Sequence, residues 1–161
     1  MKIMRVIVCA LFCVAFYATA AGNSDFQGFT VDMTREQGDA QAKKQGFEVR
    51  ELDANTLVYA GKAFGLTDRV LNARYENGKL AEISVYMWGK SSGPTGLSDK
   101  ALEAKGIELL AAFDKKYGAH ASKLNEATDN TTHTWILSDK STLLLVLGPD
   151  YDRSVTIDYG K

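Results

Sequence analysis

The stretch Arg69-Val70-Leu71-Asn72-Ala73-Arg74-Tyr75-Glu76-Asn77-Gly78-Lys79-Leu80-Ala81-Glu82-Ile83-Ser84-Val85-Tyr86-Met87-Trp88 reads as a β-hairpin. Asn77-Gly78 is the favoured pair for a two-residue type I′ turn, because both central residues take positive φ. Counting outward from that turn places Glu76 opposite Lys79, Tyr75 opposite Leu80, and Asn72 opposite Ile83. The first pair is complementary in charge and the second is apolar, as stable cross-strand pairs are. Ala81, Ile83, Val85 and Met87 mark one face; Leu71, Ala73, Tyr75 and Tyr86 mark the other. Apolar residues on both faces predict that both are partly covered.

Towards the N-terminus, Phe29, Val31 and Met33 alternate with Thr30 and Asp32, which predicts a short strand leading into a helix. Thr34 and Gln37 form the sequence pattern of a capping box. The helix is expected to end near Gln45, with Gly46 supplying the left-handed residue. Gly38 and a face of alanines make it weak by itself, so it has to lie on a sheet. Strands are expected over 47–52 and 56–60 before the hairpin.

Towards the C-terminus, residues 89–97 (Gly-Lys-Ser-Ser-Gly-Pro-Thr-Gly-Leu) cannot hold regular structure and read as a linker. A stronger helix follows, with Ser98 as N-cap, Asp99 at the positive end of the dipole, and Leu97 stapled to Leu102. Leu102, Leu109, Leu110, Phe113 and Tyr117, with Gly106 between them, trace one apolar stripe, and Gly118 ends the helix. Strands are then expected over 120–124, 131–137, 142–147 and 154–159. The segment 142–147 is apolar on both faces and belongs inside a sheet. The last strand alternates Val155, Ile157 and Tyr159 with polar residues and has one wet face.

The two halves share one order, a helix and then about four strands, and each helix ends in Lys-Lys-x-Gly, at Lys43 to Gly46 and Lys115 to Gly118. The fold class expected is α+β, two helix-plus-antiparallel-sheet units packed as one domain. The units span about 26–88 and 98–160. The motif Gly28-Phe29-Thr30-Val31-Asp32-Met33-Thr34, followed by a short helix, Gly46 and a meander of strands, resembles small exported helix-plus-sheet proteins. These are the SmpA/OmlA-type envelope lipoproteins and the tandem-repeat β-lactamase inhibitor family, the second being nearer in arrangement. The chain departs from both: it has no correctly placed cysteine for acylation, and its mature part has none for disulfides. No functional residue carries over. The resemblance implies a protein that binds other proteins or helps assemble envelope structures, without catalysis.

Lys2 and Arg5, an apolar run from Val6 to about Tyr17, and Ala18-Thr19-Ala20-Ala21 read as a cleavable export signal over residues 1–21. A membrane anchor needs ~20 apolar residues, more than this run holds. A lipoprotein needs a small residue before its cysteine, whereas Phe12 precedes Cys13 and Val8 precedes Cys9. Residues 22–161 then form the single mature domain, expected in the periplasm or outside the cell. Both cysteines leave with the signal, so this domain can hold no disulfide, thiolate metal site or cysteine nucleophile. Charge is nearly balanced, with 19 basic and 20 acidic residues and no basic stripe, which disfavours nucleic acid and a basic membrane-surface helix.

Candidate chemistry is sparse. His120 and His133 are the only histidines, and they lie in different elements without metal-ligand spacing. His133, in a strand-like stretch of threonines, is expected to face outward. No Gly-x-Ser-x-Gly elbow is present. Asp150 and Asp152 lack the further ligands of a calcium loop, and Asn130-Thr131-Thr132 reads as a turn before a strand. No catalytic residue, metal ligand or cofactor is therefore assigned. Binding residues are sought among aromatics near strand ends: Tyr86, Trp88 and Tyr151, with the linker beside them. The function expected is an exported non-catalytic adaptor, inhibitor or assembly factor. The alternative is a small secreted hydrolase using His120 or His133. An outer-membrane barrel is disfavoured by the strong second helix and the lack of regular lipid-facing alternation.

Overall fold

The computed structural model describes residues 24–51, 53–64, 66–87, 97–148 and 155–161. The export signal, Trp88, Tyr151, the Asp150/Asp152 loop and all of the linker except Leu97 lie outside the described residues. In chain order the elements are α1 (Arg35–Lys44), β1 (Glu48–Glu51), β2 (Thr56–Ala63), β3 (Leu66–Glu76), β4 (Lys79–Met87), α2 (Asp99–Tyr117), β5 (Ala121–Asn125), β6 (Asn130–Ile136), β7 (Thr142–Leu147) and β8 (Val155–Gly160). The strands form one eight-stranded sheet in the order β1-β2-β3-β4-β8-β7-β6-β5, with β1 and β5 at its edges. Every neighbouring pair is antiparallel. Two helices with an antiparallel sheet make the class α+β.

The hairpin forms about Asn77 and Gly78, whose φ angles are 51° and 75°. Glu76 faces Lys79 and Tyr75 faces Leu80, as the turn dictates. Beyond that the register slips at a bulge between Arg74 and Tyr75, so Ile83 faces Ala73 and Asn72 faces Ser84, not Ile83. The slip corrects the expectation of two mixed faces. It brings Leu80, Ile83, Val85 and Met87 onto the same side as Leu71, Ala73 and Tyr75, and all are buried. Tyr86 is left on the opposite side. A bulge adds one residue to one strand and thereby changes which side chains share a face.

The covered face carries both helices and the segment 24–34. α1 packs against β1 and β4. Its Thr34 cap and Gln37 satisfy each other's backbone N–H groups in a capping box. α2 is capped by Ser98 and buries Leu102, Gly106, Leu109, Phe113 and Tyr117. The lysine pairs Lys43/Lys44 and Lys115/Lys116 occupy the last turns, where cations favour the dipole. Val31 and Asp32 form a turn, with Asp32 at φ 69°, flanked by isolated bridges at Phe29 and Thr34, in place of the expected strand. This segment runs over the covered face, where it buries Phe29 and Val31 in the core. Its backbone is held by Leu80 on one side and by the Tyr159 hydroxyl on the other. Phe26 stacks on Tyr159 with centroids 5.8 Å apart.

Candidate functional sites: the open sheet face and a histidine cluster

No described element lies on the other face of the sheet. Its central strands set up three rows. Tyr86, Thr156, Val146 and Thr132 are successive ladder partners; so are Ser84, Asp158, Leu144 and Thr134; so are Glu82, Gly160, Thr142 and Ile136. Ile136 is 75% exposed and Tyr86 36%. An open depression of about 360 Å³ is lined here by Glu82, Thr142, Leu144, Asp158, Tyr159, Gly160 and Lys161. Arg74 donates to Glu82 at 2.8 and 3.1 Å and balances that charge. Asp158 has no ion pair among the described residues. Partial burial raises its pKa, the Glu82 charge adds to this, and a hydrogen bond from Ser84 opposes it. The face therefore holds a half-buried carboxylate with Leu144 as its ladder partner and with Tyr86 and Val146 two residues along the flanking strands. Tyr86 is the one expected binding residue that can be located. Trp88 and Tyr151 lie outside the described residues.

The covered face holds the second candidate, at the C-terminal end of α2. His120 and His133 are brought together with ring centroids 4.8 Å apart and planes at 79°. His120 Nδ1 donates to Asp114 Oδ1 at 2.6 Å. The Trp135 indole N–H donates to the same carboxylate oxygen at 3.2 Å and to the Gly118 carbonyl at 3.0 Å. His133 Nδ1 shares a hydrogen bond of 3.0 Å with the Ser122 hydroxyl. His133 does not face outward as expected; it is 9% exposed and lies on the side of Trp135. Strand alternation is the reason: residues two apart share a face, and Trp135 belongs to the core. Burial lowers the His133 pKa, the His120 charge lowers it further, and Asp114 opposes both.

A serine, two imidazoles and an aspartate thus lie in one line of contacts, but the order differs from a nucleophile triad. In a triad one imidazole takes the serine proton on one nitrogen and meets the carboxylate with the other. Here the serine and the carboxylate are on different rings. Ser122 and Asp114 carry no local motif, and only the antiparallel pairing of β5 with β6 and the turn after α2 bring them in. Asp158 and Glu82 escaped notice for a similar reason. They belong to strands 76 residues apart in sequence that meet as next-but-one ladder partners.

Among the described residues, no group of three or more His, Cys, Asp or Glu side chains is placed to hold a metal ion. No helix among them is long and apolar enough to cross a membrane. In comparison with known proteins, no family model, curated protein or solved structure matches the chain.

Proposed function

We propose that this is an exported, non-catalytic binding protein, periplasmic or secreted, that takes a protein partner of the cell envelope on the open sheet face. The observation that carries the reading is the half-buried Asp158 carboxylate beside Leu144, Tyr86 and Val146, on the face opposite both helices. A carboxylate partly withdrawn from water, with no cation paired to it among the described residues, is complementary to a lysine or arginine delivered by a partner. The apolar neighbours suit the aliphatic or aromatic groups that flank such a cation at interfaces. The partner's contact is accordingly basic and apolar, and Tyr86 is the aromatic anchor on this side.

The two-unit reading belongs to the same proposal. Outward from the central β4·β8 pair the order runs β3, β2, β1 on one side and β7, β6, β5 on the other. Each run follows its own helix in the chain. That order is consistent with two related units sharing one sheet, and with the resemblance to tandem-repeat exported inhibitors and envelope assembly proteins. In this reading the open face is a joint product of both units.

Pull-down from envelope extracts tests the proposal. The intact protein captures a partner; capture weakens with salt and is lost in Tyr86→Ala and Asp158→Asn, both of which remain folded by circular dichroism. Capture that is unchanged in both variants, or no capture by the intact protein, overturns it. A second reading, a small hydrolase using His120 or His133, would draw on the Ser122–His133 and Asp114–His120 contacts, although serine and carboxylate lie on different rings. A hydrolase screen in which the His120→Ala/His133→Ala double variant matches the intact protein removes that reading.

A further inference from the structure

We infer that Asp114, His120, Ser122 and His133 form an acid-sensitive fastening that holds edge strand β5 to β6 at neutral pH and releases it as pH falls. Among the described residues β5 pairs only with β6, and all five of its residues are exposed. The Ser122–His133 bond is a direct side-chain tie between the two strands, and it involves an imidazole nitrogen. Immediately before β5, His120 is held to Asp114 on α2, and Trp135 on β6 holds that carboxylate and the Gly118 carbonyl. Both ends of the connection between α2 and β5 are thus fastened through imidazole contacts.

The groups facing His133 can be named element by element. α2 supplies Asp114, the turn supplies His120, β5 supplies the Ser122 hydroxyl, and β7 places Leu145 opposite. His120 is hydrogen bonded to Asp114 at 2.6 Å, and its ring lies 4.8 Å from that of His133. A proton on His133 is disfavoured, because burial withdraws its ring from water and the neighbouring His120 charge opposes it. The folded-state pKa of His133 lies below its unfolded value. The stability tied to it is therefore complete above the unfolded pKa of 6.5 and is lost as pH falls through the folded one. Local opening of β5 relieves the conflict with the least loss of packing, because an exposed edge strand opens more easily than the centre of a sheet. The inference is independent of the binding reading.

Hydrogen exchange on the mature protein at pH 7 and pH 5, corrected for intrinsic rates, is the test. Protection of β5 amides should fall about tenfold more than that of β4 and β8, and imidazole NMR should show His133 titrating below the ordinary histidine value of 6.5. The differential should vanish in His133→Phe and shrink in His120→Gln. Parallel changes in β5 and the central strands overturn the inference. So does a β5 loss that persists in His133→Phe or, should that variant not fold, one unchanged in His120→Gln.

Discussion

Two helix–sheet contacts in this molecule solve one problem with different chemistry. Beneath α1, the hydroxyls of Tyr59 and Tyr75 meet at 2.8 Å, and Tyr59 donates to Asp39 at 3.0 Å. Gly38 makes the space, since a Cβ there would come within 2.1 Å of the Tyr75 oxygen. At the end of α2, the polar tips are imidazoles, an indole and a carboxylate. Burial pushes both tyrosine pKa values up, so the first contact keeps its protonation state throughout the physiological range. In the second, burial lowers the His133 pKa from the ordinary histidine value. Buried polar atoms require partners in either case, and the choice of tyrosine or histidine decides whether the contact also senses acid.

The largest effect is expected at the histidine end. Trp135→Ala should cost about 3–5 kcal/mol in urea unfolding, through lost packing and the loss of its indole donor. A cost under about 1 kcal/mol would show that Trp135 is not an anchor of that contact. At the tyrosine end, Gly38→Ala should destabilise by about 1–3 kcal/mol, despite alanine's higher helix propensity of up to ~1 kcal/mol. A stabilised variant would show that the tyrosine tips can yield.

Acid should separate the two contacts next. Stability of the intact protein should decline from about pH 6.5 downward in chemical melts. His133→Phe should flatten that decline, whereas Tyr75→Phe, which removes a hydroxyl that stays protonated across this range, should leave its slope unchanged. Equal slopes in all three proteins would erase the distinction. The smallest stability effect belongs to the uncovered face. Tyr86→Ala should shift unfolding by no more than ~0.5 kcal/mol while weakening partner binding about tenfold or more. A large stability loss would mean that Tyr86 serves the fold.

Caps, helix stripes and the Asn77-Gly78 turn were all legible before any fold was known, because each depends on neighbours within about four residues. Thr34 with Gln37, Ser98 with the Ala101 N–H, and Glu76 with Lys79 are such cases, and all formed as read. The α+β class follows from the same local signals. The bulge between Arg74 and Tyr75 was not legible. It sets which side chains of the hairpin share the covered face, an outcome that no local window contains. The inward turn of His133 could have been read from Trp135 two residues on, but its meeting with His120 and Asp114 could not. Nor could the placement of Asp158 and Tyr86 on one side, which requires both helices to occupy the other. Chain-local hydrogen bonding and backbone preference were sufficient for the elements; only long-range packing could assign their faces.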